Sequence, residues 1–395
     1  MSNTFHRDHE TWFTYFLLSI FGYFLNMLGP ITPFLREELN TTYTVAGLHF
    51  SAFAIGMFIA GLIGDQVLIR LGYRKTLWAS SIGISIGTIG LISSHTVWLT
   101  ISASFCMGLM GSFILVLIPS MLSLKYKQLS AIALTELNTV ASLVSMLAPL
   151  LVGIFATSFF GWRFGLILAI LALLIMGVIY RKLNFNTFPL PQKALKEQGR
   201  LPLRYWTYWL GVFFVVAIEF CFIFWGSDYL IEVTNAKTEI ASAAISLFLG
   251  AMLLGRWLGS RILRTTKPAT VLFISLALAL IGFFLFWSSS LIWIALSGFF
   301  LAGFGVANLY PISLDHAISS VPASQSSIAS ARSALASASA ILSLPLILGN
   351  LADQTGMRTA FMIVPGIVLA AFLLNTFLVK RPNPDKITQQ ENENL

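Results

Sequence analysis

Ala148-Pro149-Leu150-Leu151-Val152-Gly153, followed by Gly161-Trp162-Arg163, is a phrase this chain writes twice. It returns as Leu344-Pro345-Leu346-Ile347-Leu348-Gly349, followed by Gly356-Met357-Arg358. The prolines lie 196 residues apart (345 − 149), the glycines also 196 (349 − 153) and the arginines 195 (358 − 163), about half of the 395-residue chain. Other marks follow at slightly shorter intervals: Gly56 and Gly61 match Gly250 and Gly255 at 194 residues, and Gly111 and Pro119 match Gly303 and Pro311 at 192. Both phrases fall inside apolar runs, where Pro149, Gly153, Pro345 and Gly349 are expected to bend helices. Two copies of one apolar helical unit predict a site between the copies.

The apolar setting follows from composition. Hydrophobic residues make up 57% of the chain, charged residues 10%, and mean hydropathy is +0.83. A water-soluble chain carries roughly 25% charged residues. Spans of about 20 residues number twelve, at roughly 12–35, 43–64, 76–94, 97–122, 130–155, 164–180, 206–230, 239–262, 269–289, 291–314, 325–348 and 359–379. The first is too long for a signal-peptide core and reads as a retained transmembrane helix. Cys106 and Cys221 both lie in apolar runs and read as buried free thiols, with neither a disulfide framework nor a metal cluster expected.

The net charge of +8 invites a nucleic-acid reading, but its placement points to topology. Of 24 lysines and arginines, eighteen fall on one set of alternate connections, four (Arg36, Arg163, Lys237, Arg358) on the other, and Arg256 and Arg332 within spans. The positive-inside rule then puts both termini in the cytoplasm of a plasma (inner) membrane protein. The polar stretch from Arg181 to Arg204, with Pro189, Pro191, Gly199 and Pro202, reads as a linker at 181–205 between halves at 1–180 and 206–380. Residues 381–395 read as a disordered cytoplasmic tail. Small residues crowd the eleventh span from Ser326 to Ala340, as close helix packing requires.

After the second span come Gly61, Asp65, Gly72, Arg74 and Lys75. With twelve spans in two repeats and a long central loop, this glycine-acid-glycine-basic series resembles the signature loop of the major facilitator superfamily. Here Asp65 and Gly72 stand seven residues apart, where the family has three or four. Ser104 stands four residues before Gly108, where the family often has arginine, and Ala148 replaces the leading glycine of its antiporter motif. The resemblance implies an all-α membrane fold of twelve helices, in two six-helix halves related by a pseudo-two-fold axis. It further implies rocker-switch alternating access, a monomer and no cofactor. In the resembled fold spans one, four, seven and ten line the cavity. Those spans supply Tyr23, Asn26, Phe105, Phe113, Phe222, Trp225, Asn308 and Tyr310.

Charges within spans cost roughly 2.5–3.5 kcal/mol each and call for partners or a task. In the resembled fold the second and eleventh spans face each other, which pairs Asp65 with Arg332. Moving Arg332 back by the repeat interval lands on Glu136 (332 − 196), and Arg256 falls near the counterpart of Asp65. A second pair, Glu136–Arg256, is therefore expected with reversed signs. Both pairs read as latches of the cytoplasmic gate, or else as static neutralisation. Glu219 lies 13 residues after Trp206, about 20 Å into its span, with no obvious cation. It reads as a proton-coupling acid, as a contact for a cationic substrate, or as a protonated hydrogen-bond donor between helices. His49 reads as a packing histidine.

No enzyme reading survives, because phosphate-loop, His-Glu-x-x-His and Gly-x-Ser-x-Gly patterns are all missing from the sequence. The partners expected are a small-molecule substrate, protons and the lipid bilayer, with no nucleic acid. An aromatic cavity, a partial antiporter motif and one midplane acid point to proton-coupled export of amphipathic or cationic compounds. Uptake or exchange of a small metabolite is the alternative, and a non-transporting membrane sensor a third reading.

Overall fold

The computed structural model describes residues 5–183, 201–322 and 325–379. Most of the expected linker, including Lys193, Lys196 and Arg200, and the expected tail at 381–395 lie outside the described residues. Among the described residues, helices and short connections make up the chain. They are α1 (His9–Leu39), α2 (Tyr43–Ser93), α3 (Val97–Tyr126), α4 (Ser130–Ala156), α5 (Arg163–Ile179), α6 (Leu203–Thr234) and α7 (Thr238–Ile262). After these come α8 (Pro268–Ser288), α9 (Ile292–Val306), α10 (Leu309–Ile318), α11 (Ser326–Thr355), the single turn α12 (Met357–Ala360) and α13 (Ile363–Val379). Ten helical stretches among the described residues are long and apolar enough to cross a membrane, with α5 a shorter apolar helix beside them.

The packing is what a lipid solvent dictates. Large apolar side chains such as Trp98, Trp293 and Val178 point outward, where water would penalise them and hydrocarbon does not. Buried hydroxyls turn back onto their own helix: Thr32 donates to the Leu28 carbonyl, Ser81 to Leu77 and Thr88 to Ile84. These hydroxyls are thereby satisfied without water. Successive helices run between two ends of the bundle. The basic end carries Arg70, Arg74, Lys75, Lys125, Arg204, Arg261, Arg264 and Lys267; the far end carries the turns at 40–42, 157–162, 235–237 and 289–291.

The expected spans at 43–64 and 76–94 are joined in one helical run, α2, of 51 residues. At 1.5 Å per residue that is about 76 Å, more than twice the hydrocarbon thickness of about 30 Å. The run is broken at Gly72, whose φ of 74° and ψ of 167° leave the helical region. A side chain is strained at that φ, which explains the glycine. The expected tenth span is interrupted too, with α9 giving way to α10 at Ala307–Asn308.

The repeated phrase has the same local job in both places. Gly161 (φ 67°) and Gly356 (φ 80°) turn the chain into the next helix. Arg163 Nε then donates to the Ile92 carbonyl at 3.0 Å, and Arg358 Nη2 to the Ser288 carbonyl at 3.1 Å. Each guanidinium thus caps the C-terminus of a neighbouring helix, where free carbonyls and the dipole favour a cation. The phrase glycines bring helices together: a Cβ on Gly153 would stand 2.7 Å from Ala243 of α7, and one on Gly349 2.8 Å from the Tyr43 carbonyl of α2.

Candidate functional site

Where α1 and α4 face α6 and α7, at mid-depth, a cavity of about 200 Å³ opens. The wall from the first part of the chain includes Leu18, Phe21, Asn26, Asn138, Ser142 and Ser145; the facing wall includes Glu219, Leu249, Met252 and Arg256. Arg256 Nη2 lies 3.8 Å from Glu219 Oε1, and its Nε is tied to the Ala307 carbonyl at 3.3 Å. That carbonyl is at the α9–α10 break, so the interruption of the tenth span helps aim the guanidinium. Tyr310, one turn further, lies beside Ser337 and within electrostatic reach of Glu219 and Arg256.

Toward the far end the two parts of the chain lock together. Gly29 lies against the Ile223 carbonyl with no room for a side chain. Ser227 donates to the Gly29 carbonyl, Ser242 to Pro30 and Ser246 to Met146. Arg36 Nη2 holds Asp228 Oδ1 at 2.9 Å while its guanidinium lies 3.9 Å above the Tyr43 ring. The Tyr43 hydroxyl reaches Glu232 at 2.8 Å, and Asp353 of α11 accepts the Tyr43 and Thr44 amides, each at 2.8 Å. A carboxylate there satisfies the free N–H groups that open α2. Trp225, fully buried, donates Nε1 to the Pro345 carbonyl at 2.7 Å and packs on Phe50. The far end is sealed beneath the cavity.

At the basic end the expected latches are apart. Asp65 is exposed, and Arg332 lies over Trp206 at 5.9 Å instead of meeting Asp65. Glu136 is bonded to Arg7, on the segment leading into α1, and also meets Tyr15 at 3.3 Å. The expected Glu136–Arg256 pair is therefore corrected for this conformation, since Arg256 faces Glu219. With it goes the reading of Glu219 as an acid without a cation. Repeat arithmetic matches residues by interval along the chain, whereas a charge meets whatever packs beside it. Gly61 has open space around it, Arg74 donates to the Arg181 carbonyl at 3.0 Å, and Lys75 is exposed.

Of the side chains expected to line the cavity, Asn26 does and Tyr310 lies near its acid. Three do not. Tyr23 donates to the Gly165 carbonyl of α5, Trp225 belongs to the far-end seal, and Asn308 is buried with its amide on the Gly255 carbonyl. Their polar atoms are spent on backbone, which is what an amide or hydroxyl in lipid must do. His49 is a packing histidine, with Nε2 on Thr100 Oγ1 at 2.9 Å. Asn138, Ser142, Ser145, Arg36 and Asp228 escaped the sequence reading. Asp228 closes an apolar run, and Arg36 counted only toward topology, so their pairing needed the fold.

A family model described as the Major Facilitator Superfamily matches residues 12–342 and, in a second match, 267–394. A protein from Yersinia enterocolitica called "Protein TsgA homolog" is 19% identical over 381 residues, covering 94% of this chain and 95% of its own length. Among solved structures, a single-residue mutant of the nucleoside transporter NupG superposes with a TM-score of 0.75 at 13% identity, covering 93% of this chain and 98% of its own. A bacterial homolog of the human lysosomal transporter Spinster, inward-facing and unoccupied, gives 0.72 at 13% identity over 96% and 100% of the two chains. At such identity the structures speak for the fold alone. The family match runs through nearly the whole chain and agrees with a bundle of membrane-crossing helices around a shared cavity, so the chain belongs to the Major Facilitator Superfamily of multi-pass membrane transporters.

Proposed function

We propose that this protein is a proton-coupled secondary transporter of a small polar metabolite, working by rocker-switch alternating access, with Glu219 as the coupling acid. The observation that carries the reading is the Glu219–Arg256 pair, 3.8 Å apart in a cavity walled by both parts of the chain. A carboxylate that alternates between this guanidinium and a proton changes the charge of the cavity as the carrier turns over. The cavity favours uptake or exchange of a small metabolite over export of amphipathic cations. Its guanidinium repels a cation, and about 200 Å³ is below the 300–1,000 Å³ typical of drug-sized ligands.

The bundle is read as twelve crossings, counting α2 twice about Gly72 and adding α5 to the ten long stretches. Halves at 1–180 and 206–380 then rock about the cavity. The basic end is assigned to the cytoplasm of the bacterial inner membrane, both termini with it, by the eighteen-to-four placement of lysines and arginines. A sealed far end then makes this the inward-facing conformation, the state named for the Spinster homolog. In the opposite state the Asp65–Arg332 and Glu136–Arg256 pairs close the basic end, Arg256 leaving Glu219 and displacing Arg7. The test is a substrate screen in proteoliposomes loaded with a pH gradient, wild type against Glu219→Gln. Gradient-driven accumulation lost in the variant is expected. Unchanged accumulation with unchanged pH dependence removes Glu219 from the coupling.

A further inference from the structure

The cavity's hydrogen-bonding inventory says more about its ligand. We infer that it takes a small amino-acid-like zwitterion carrying an apolar substituent, a proposal that deepens the transport reading of the same cavity and rests on it.

On the first wall, Asn26 Nδ2 donates to the Gly22 carbonyl and Asn138 Nδ2 to the Leu134 carbonyl, each at 2.9 Å. Each carboxamide ties its nitrogen to its own helix and keeps its oxygen as an acceptor on a residue that lines the cavity. That orientation follows from chemistry, because only the nitrogen can donate to a carbonyl. With the Glu219 carboxylate opposite, the site offers oxygen acceptors suited to an ammonium group. Arg256 is the complementary element. Its Nε is held by Ala307, and its Nη2 stands 3.8 Å from Glu219. A charge-assisted hydrogen bond closes to about 2.7–2.9 Å, so this pair is balanced in charge yet not joined. The open fork of the guanidinium accepts a carboxylate in bidentate fashion.

Charge balance selects between ligand classes. The cavity lining holds one acid, Glu219, and one base, Arg256. A lone cation or a lone carboxylate adds a net charge that must be desolvated when the halves close, which is costly without a partner. A zwitterion adds none and supplies the missing partner on each side, ammonium to Glu219 and the amide oxygens, carboxylate to Arg256. Apart from Ser142 and Ser145 the remaining surface is largely aliphatic and aromatic, from Leu18, Phe21, Leu249 and Met252 among others, which suits one apolar substituent within the small volume.

The test is equilibrium binding to the purified full chain in detergent, by calorimetry, with leucine and methionine as probes. Isoamylamine tests the ammonium alone, 4-methylvalerate the carboxylate alone, and N-acetyl-leucine the loss of the amine. Leucine or methionine should bind, and removing either charge should weaken binding by about tenfold or more. Arg256→Gln should erase the preference for leucine over isoamylamine, and Glu219→Gln the preference over 4-methylvalerate, with thermal unfolding confirming that both variants are folded. Failure of both amino acids to bind overturns the proposal. So does equal affinity for a single-charge analogue in the wild type, or retention of full selectivity in both variants. Binding is read without a gradient, so a chain that binds leucine and moves nothing refutes transport alone. A chain that accumulates other compounds and ignores both amino acids refutes the zwitterion alone.

Discussion

Replacing Arg36 with alanine should unseal the far end. Asp228 is fully buried, and only its Oδ1 is hydrogen-bonded, to Arg36 at 2.9 Å; Oδ2 has no hydrogen-bond partner. Removing one member of a buried pair leaves an uncompensated charge and costs about 3–5 kcal/mol. Arg36 keeps 24% of its side chain exposed, so the lower figure, about 3 kcal/mol, applies. The cost falls on the sealed conformation alone, because separating the helices lets water reach Asp228. An equilibrium shifted by about 3 kcal/mol moves more than a hundredfold. The assay is pulsed electron–electron distance measurement between spin labels at the exposed far-end positions Phe159 and Leu291, with Cys106 and Cys221 replaced. Arg36→Ala should add a longer-distance population. Asp228→Asn, which keeps an acceptor and loses the charge, should shift it less, and the double variant should fall short of the sum of the two. An unchanged distance distribution in Arg36→Ala, or strict additivity, would refute the idea that this pair holds the far end closed.

Gly29→Val should prop the same end open without touching a charge, because a Cβ there meets the Ile223 backbone; the Phe159–Leu291 label pair reads it, and a sealed distribution would contradict the packing argument. Trp225→Phe removes the hydrogen bond to the Pro345 carbonyl and should cost about 1–3 kcal/mol, read as a lower thermal midpoint with the fold intact. Cysteines substituted at Glu136 and Arg256 should cross-link on oxidation when the basic end closes; no cross-link with or without substrate disproves their meeting in the other state. At the start of α1, burial pushes the Asp8 carboxyl up, but hydrogen bonds from Lys125 and Thr11 outweigh it and hold it below the usual carboxylate range. A depressed folded value stabilises above the unfolded pKa of about 3.9 and is lost as pH falls through the folded one. The stability difference between wild type and Asp8→Asn should therefore be present at neutral pH, stay below about 1 kcal/mol because the carboxyl is partly exposed, and vanish as pH drops well below 4.

What was legible beforehand was whatever a single element states by itself. Apolar length places the helices: the expected spans 130–155 and 239–262 fall within one residue of Ser130–Ala156 and Thr238–Ile262 at each end. The Pro-and-Gly phrase marked where helices approach and turn. Glu219 was found because one acid stands in a long apolar run, and the structure places it on the cavity. Partnerships between elements were harder. Tyr23, Trp225 and Asn308 have the right chemistry on the right helices, but a helix has several faces, and theirs point into neighbouring helices. Asn138 and Ser142 were passed over because α4 was not among the helices the resemblance assigned to the cavity.

The charges show why a repeat is a better guide to architecture than to pairing. A duplicated unit encodes contacts local to each copy, such as Arg163 and Arg358 on the helix ends beside them. It does not encode which partner a charge meets across the cavity, because on the proposed alternating-access reading that choice changes with the state. Glu136 has Arg7 here, and Arg256 has Glu219. If the halves closed at the basic end with these partners kept, Arg256 would remain in the cavity and Glu219 would have no reason to take a proton. The reversed-sign pair read from the repeat is thus the contact that would free Glu219. On the proposed reading that contact would be the coupling step: closing the basic end would move the guanidinium, and moving it would change what the acid holds.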